Sequence, residues 1–593
     1  MLRKKITGLL NRFAHWRLRH IGDDTFLILA AALTGIITSI CAVLLKMSVH
    51  YIQEVVQKGI FMNQVEWMYL FYPLIGILLC TFYVQIFLHS ELGRGTGLVL
   101  VAISRKYANV ERHKMYSQMV SSILTVGFGG SAGLEAPIVV TGSAYGSRIG
   151  NALRMTLREK TLLIACGAAA GISAIFNCPI AGVIFAMEVI LIRTTVPAFI
   201  PILIAAATSS LVSKILYSGQ PFFRITDDWN VSSTPYYIAF GLLCGLLSVY
   251  NIRVYSKCEE WFAKIKKPYA ASIICGILLG ILVFVFPPLY GEGYSNILGI
   301  LHGDFQQLFL QSPMNGMMNQ HFELLVFGSA LALTKVFATS LTIGGGGNGG
   351  MFGSSLYAGA FLGLIFTEII KLSGLAELNS IHFIVIGMAG LLSGVIHAPL
   401  TAIFLIAEIT GGYTLFIPLM IVSALSYFIT KYFEPYSVYT RKLAKRGLLV
   451  FNNPDQDVLN HIRLKNLVEN DFASVSLNGK LAELIEKIGT SKRNLFPVLD
   501  ELGQLHGVIV LDDIRSIMFD QSKYVTVKIS DIMTRPPATL DIDEDMPSVM
   551  QKFETTQAWN LPVIKENKYI GFVSKSNIFT RYRSQLIEDL SKE

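Results

Sequence analysis

Long apolar stretches, and the places where they break, set the frame of this 593-residue chain. Phe26–Met47 and Met68–Leu88 are each long enough to cross a hydrocarbon core of about 30 Å as a helix. Farther along, the apolar runs shorten and are broken by Gly or Pro, as in Leu98–Ile103, Tyr116–Val126, Pro179–Ile192 and Pro399–Glu408. A helix that ends inside a membrane needs its backbone groups met by protein or by a polar cavity, so broken helices point to a substrate site near the midplane. The apolar pattern stops near Tyr436. From Asn452 onward the sequence is of soluble character and holds two similar units, Phe496–Leu499 through Gly507–Ile514 and Leu561–Ile564 through Gly571–Ile578. Each predicts strand, turn, strand and helix after an earlier helix, hence a tandem α/β module.

The apolar part repeats itself. Asn177-Cys-Pro-Ile-Ala-Gly-Val-Ile-Phe-Ala-Met-Glu188 matches His397-Ala-Pro-Leu-Thr-Ala-Ile-Phe-Leu-Ile-Ala-Glu408 at a constant offset (399 − 179 = 220; 408 − 188 = 220). Gly142 and Gly146 fall on Gly359 and Gly363 (359 − 142 = 217), a register that sets Glu135 against Phe352. Paired broken helices in two copies are the arrangement of a transporter or channel built by duplication. Gly129–Pro137 reads Gly-Gly-Ser-Ala-Gly-Leu-Glu-Ala-Pro and predicts a glycine turn opening a helix, with Glu135 in its first turn. Such a helix start offers unpaired N–H groups and the positive end of the macrodipole to an anion. Two readings stand: a capped helix with Glu135 as dipole partner, and a gate in which a tethered carboxylate occupies an anion site. Glu188 and Glu408 likewise read either as proton or ion contacts or as helix-end carboxylates of shared architectural role, the latter preferred.

Composition adds weight to the membrane reading. Fully 52% of residues are hydrophobic and 15% charged, far from a soluble domain, and the net charge of +8 fits membrane-surface asymmetry rather than nucleic-acid binding. The seven cysteines show no ligand spacing and read as small core residues; a metal cluster, nucleophile elbow or P-loop is absent, which argues against an enzyme. Basic residues among Leu, Phe and Trp in Met1–His20 predict an interfacial amphipathic helix, and Arg441-Lys-Leu-Ala-Lys-Arg446 a basic membrane exit. Both termini are therefore expected in the cytoplasm.

Together these pieces resemble the CLC family of chloride channels and chloride/proton antiporters joined to a pair of CBS domains, over nearly the whole chain from about Thr25. Gly133-Leu-Glu-Ala-Pro137 is similar to the family's Gly-Lys/Arg-Glu-Gly-Pro motif, which implies that Glu135 is the gating glutamate and that Gly133 and Leu134 lie at the anion. Gly350-Met-Phe-Gly-Ser354 stands where the family has Gly-Ile-Phe-Ala-Pro, which implies anion contacts from the amides of Met351 and Phe352. The family's inner-gate tyrosine is matched first by Tyr436, which precedes Ser437, with Tyr439 in reserve.

Two departures stand out against that pattern. The family's Gly-Ser-Gly-Ile-Pro reads Gly93-Arg-Gly-Thr-Gly97, so Arg94 replaces the anion-facing serine and the Gly95 amide is left to bind. Val189 follows Glu188 where the antiporters have a second, proton-passing glutamate, which favours the channel type. In the CBS pair the nucleotide signature is split: Asp513 is present but Val510 replaces the hydroxyl, and Ser574 is present but Asn577 replaces the acid. An adenine nucleotide and a purely structural dimerisation role both stay open there.

The expected fold is thus a polytopic α-helical membrane protein with an inverted internal repeat and broken helices, plus a cytoplasmic α/β tandem CBS module. Residues 1–24 form the N-terminal helix, 25–447 the membrane domain (repeats 25–220 and 235–447) and 452–593 the CBS pair (465–520 and 529–585). The resemblance implies chloride transport, channel-like with a glutamate gate, and as alternative a chloride/proton antiporter. Its implied partners are chloride, protons, membrane lipid and a second copy of the chain, in a bacterial inner membrane. A CBS-regulated cation transporter is the rival of another class, but it needs acidic or carbonyl-rich pore linings where these glycine turns present N–H groups.

Overall fold

The computed structural model describes residues 22–63, 66–88, 92–93, 95–105, 108–191, 199–217, 224–225, 227–308, 312, 320–445 and 462–591. The helix expected over Met1–His20, Arg94 and Arg446 lie outside these residues. The chain divides into two compact units, Met1–Leu449 and Val450–Glu593.

The first unit is helical throughout. Among the described residues nine helices are long and apolar enough to cross a membrane, among them Asp23–Val56, Leu157–Phe176 and Met351–Leu372, while Pro179–Ile190, Ser380–Ile396 and Pro399–Ile409 are shorter. The broken stretches read from the sequence are helices Gly97–Arg105, Lys114–Gly127, Pro179–Phe185 and Pro399–Ile409. Each break has a cause. Asn177 and His397 adopt the left-handed conformation at φ 58° and 59°, ending the helices before them. Pro179 and Pro399 then occupy the first turn of the next helix, where no N–H is needed.

Glycines set how close the helices come. Helix Glu135–Ala152 crosses Leu157–Phe176 at Gly142, where a Cβ would stand 2.2 Å from the Gly167 carbonyl oxygen. The second half repeats this: a Cβ at Gly359 would stand 2.1 Å from the Gly387 oxygen. Backbone-to-backbone contact of this kind replaces a hydrophobic drive that lipid cannot supply.

The short helices show that the repeat is inverted. Glu188, at the far end of the first, accepts from Leu400 N (3.2 Å), Thr401 N (2.8 Å) and Thr401 Oγ1 (2.7 Å) at the start of the second. Glu408 returns the contact, accepting from Ile180 N (3.1 Å) and Ala181 N (2.8 Å). The end of each helix touches the beginning of the other, so the pair runs antiparallel. Among the described residues the seven cysteines form no disulfide, and six are buried as core residues.

The second unit holds two three-stranded sheets of the same order. Val475–Ser476 pairs in parallel with Leu495–Leu499, which pairs antiparallel with Leu505–Val510; Leu540–Asp541, Asn560–Lys565 and Lys568–Ser574 repeat this. Even the irregularity recurs, after Val498 and after Val563. Phe496, Val498 and Ile509 fill one core, and Leu561, Val563 and Val573 the other.

Candidate functional site

The site grows from two helix starts that meet. The turn before Glu135 is held open by backbone geometry: Gly129 sits at φ +95°, and a Cβ there would fall 2.0 Å from the Tyr290 ring. Ser131 N donates to Thr342 Oγ1 (3.0 Å), and Gly133 exchanges two backbone bonds with Gly350, at 3.1 and 2.9 Å. The loop before Met351 is pinned by Asn348, whose Nδ2 donates to Gln118 Oε1 (2.9 Å) and Ser121 Oγ (2.8 Å). Helices Glu135–Ala152 and Met351–Leu372 therefore begin side by side, each without a side-chain cap. Two other helices of this unit do carry such caps, with Thr156 and Glu159 in a capping box and Asn379 on Ile381 N. Uncapped starts in the protein interior leave amide donors and two positive dipole ends facing one place.

Glu135 fills that place. It is 1% exposed, and its Oε1 accepts from the Tyr294 hydroxyl at 2.5 Å. Its Oε2 makes no full hydrogen bond among the described residues, although the amides of Glu135 itself and Gly353 face the carboxylate. A Cβ at Gly133 would stand 2.0 Å from Oε2, so glycine at that position makes room for the acid. Gly133, Leu134, Met351 and Phe352 are all buried around it. Phe352 stacks on Phe176 (centroids 5.6 Å apart) and meets Phe185 edge-on (6.3 Å), giving the second helix start an apolar wall where the first has a carboxylate.

The two tyrosines differ in burial. Tyr436 is 47% exposed, whereas Tyr439 is 9% exposed, hydrogen-bonds the Thr96 side chain and faces Glu135. The cause is local: Ser437 N donates to Thr440 Oγ1, and Val438 N donates to Val395 O, a tight turn that points residue 439 inward. Thr96, in the same loop as Gly95, supplies a buried hydroxyl that the missing serine made easy to overlook. Gly95 is at φ +76° with open space beside its Cα. Val189 is half-buried in a wide turn, Ala186–Ile190, and packs on the core. Glu188 and Glu408 act as reciprocal helix caps, the architectural reading.

Three further polar side chains converge on Glu135 and its turn from distant parts of the chain. Tyr294 holds it directly. Lys46 faces both Glu135 and Glu292, donates to Ile175 O (3.1 Å) and lies 5.0 Å over the Tyr217 ring. Lys335, 0% exposed, donates to Ser131 Oγ (2.8 Å) and Gly291 O (3.1 Å). Lys46 and Lys335 were visible as charges in apolar spans, a signal of intramembrane function in itself. A cavity of about 290 Å³ opens beside Leu134 and is lined by Lys46, His50, Glu292 and Tyr294 among others.

In the α/β unit the nucleotide signature positions lie in different surroundings. Ser574 Oγ is engaged, donating to Glu469 Oε1 (2.9 Å) and accepting from Asn577 N (3.1 Å), and Asp513 is exposed. Among the described residues, a cavity of about 560 Å³ in this unit is lined by Phe472, Arg493, Arg535, Trp559 and the signature-position Val510, but not by Asp513 or Ser574.

The family model described as voltage gated chloride channel matches residues 75–431, and the CBS domain model matches residues 529–584. The chain is 28% identical over 344 residues to the voltage-gated ClC-type chloride channel ClcB of Escherichia coli (strain SMS-3-5 / SECEC), covering 55% of this chain and 75% of that one. It is 25% identical over 553 residues to chloride channel protein CLC-f of Arabidopsis thaliana, covering 79% and 68%. The crystal structure of a slow cyanobacterial Cl⁻/H⁺ antiporter superposes with a TM-score of 0.60 at 21% identity, over 72% of this chain and 99% of that one, a likeness of fold.

Proposed function

Because this chain belongs to the voltage-gated chloride channel family, we propose that it carries chloride across a membrane through the two facing helix starts, with Glu135 as the gate. The observation that supports this most is the buried carboxylate seated where two uncapped helices point their amides. Backbone dipoles stabilise a dehydrated halide modestly, so it enters and still leaves. Glu135, ionised, occupies the anion position; protonation or an arriving chloride releases it. The amides of Gly133, Leu134, Met351 and Phe352 line the outer part of the path, and the Tyr439 hydroxyl and Gly95 amide the inner part. The relatives' names support the substrate, and the basic stretches Met1–His20 and Arg441–Arg446 support a cytoplasmic placement of both termini. The setting proposed is a bacterial inner membrane, with the protein as a homodimer surrounded by lipid.

Val189, which cannot titrate, supports the channel mode. A chloride/proton antiporter is the second reading, favoured by the Tyr294–Glu135 hydrogen bond, a ready place to hold a proton. Chloride and proton flux from liposomes containing the full chain test both. Wild-type flux should rise as pH falls, and Glu135→Gln should remove that dependence. A Glu135→Gln protein that kept the wild-type pH profile would end the gate assignment. A chloride gradient driving protons uphill would overturn the channel mode.

A further inference from the structure

Beside the gate a second carboxylate reaches the same helix start from another part of the chain. Glu292 belongs to the turn after Pro287–Leu289, and the Leu134 N–H faces its carboxylate. Leu134 and Glu135 are consecutive, so two tethered carboxylates stand on neighbouring donors at one helix mouth. Glu292 lines the 290 Å³ cavity that opens beside Leu134, whereas Glu135 lies behind it, buried. An anion arriving through that cavity competes with Glu292 for the Leu134 amide before it ever meets Glu135.

The surroundings give Glu292 somewhere to go. Facing it are Glu135 from its own helix, Lys46 from the first helix, Lys335 from Gln320–Gly344 and Tyr217 just past Phe199–Leu216, with His50 and Tyr294 lining the same cavity. Lys335 is fixed, because its ammonium ties Ser131 of the gate turn to the carbonyl of Gly291, the residue before Glu292. Lys46 lines the open cavity and faces both acids. Two carboxyl groups and two lysines thus meet at the mouth, and an arriving anion adds a negative charge beside Glu135 and Glu292, which it disfavours unless one of them withdraws or is neutral.

We propose that Glu292 is a second gating carboxylate on the cavity side, which must leave the Leu134 amide, with Lys46 as its alternative partner, before chloride reaches the site that Glu135 closes. This rests on the chloride-transport reading above. Glu292 is not a duplicate of the glutamate missing at Val189, for it sits on the opposite repeat and at the helix start.

The test is chloride efflux from liposomes carrying full-length protein, from acidic to neutral pH. Glu292→Gln should raise flux at neutral pH on the order of tenfold, the equivalent of one lost charge-assisted hydrogen bond. It should also flatten part of the pH profile, and Glu135→Gln/Glu292→Gln should exceed Glu135→Gln alone. Glu292→Cys separates charge from packing: a negatively charged thiol reagent should return flux toward wild type, and a neutral reagent of equal size should not. Wild-type rate and pH profile in Glu292→Gln, or equal effects of the two reagents, overturn the proposal while leaving Glu135 as gate. No chloride flux from wild type overturns the reading beneath it instead.

Discussion

The two halves of the membrane unit share a backbone and diverge in what they place at the helix start. Asn177 and His397 take the same left-handed turn, Pro179 and Pro399 open the same short helix, and Gly142 and Gly359 allow the same close crossing. Yet the first half begins its facing helix with Glu135 and the second with Met351 and Phe352. The shared features are those that packing dictates, since a Cβ or a misplaced N–H at any of them collides or goes unsatisfied. The side chain at the helix start is under no such demand, so it is where the halves were free to specialise. One received a carboxylate and the other an aromatic wall.

The largest expected effect tests the shared part. Gly142→Ala and Gly359→Ala would each push a methyl against a carbonyl about 2 Å away, closer than any real contact. Overpacking of this kind costs about 3 kcal/mol, and here the rigid partner is backbone. Both variants should lose most of the monodisperse peak on gel filtration in detergent and melt earlier, to a similar degree. Tolerance in one half and collapse in the other would break the equivalence of the repeats.

Next in size are the reciprocal caps. Glu188→Gln and Glu408→Gln weaken charge-assisted bonds at a helix start, with an expected cost of about 1–3 kcal/mol each. Glu188 should be the more sensitive because it takes a third donor, the Thr401 hydroxyl; Thr401→Val removes that bond alone and should cost about 1 kcal/mol. Thermal unfolding in detergent measures all three. If Glu188→Gln left stability untouched but altered the pH dependence of flux, Glu188 would be a proton contact and the cap reading would fall.

Much of this was legible from the sequence because it is local or periodic. Span lengths, the Gly and Pro interruptions, the 220-residue offset and the turn at Gly129–Pro137 all lie in contiguous residues. What escaped lies in contacts between distant segments. Matched positions made Glu188 and Glu408 equivalent, but that each caps the other's helix depends on the antiparallel packing of the two halves. Tyr294 meets Glu135 across 159 residues and Lys335 meets Ser131 across 204, and no spacing rule reaches that far. The two lysines were detectable as isolated charges in apolar spans; their partners were not.

The smallest expected effect concerns the tyrosine pair, where sequence and structure part by three residues. Following serine favoured Tyr436, but a motif read without its turn cannot say which ring faces inward. The hydrogen bond that Ser437 N donates to Thr440 Oγ1 tightens that turn, leaving Tyr436 exposed and Tyr439 buried against Thr96. If the Tyr439 hydroxyl touches the anion, Tyr439→Phe should change chloride flux on the order of fivefold, the weight of one neutral hydrogen bond. Thr96→Val should give part of that effect by freeing the hydroxyl, and Tyr436→Phe should leave flux at the wild-type rate. An equal response to Tyr436→Phe and Tyr439→Phe in the same liposome assay would mean that neither hydroxyl meets the ion, and the inner end of the path would then be left to the backbone of Gly95, as the outer end is to the amides facing Glu135.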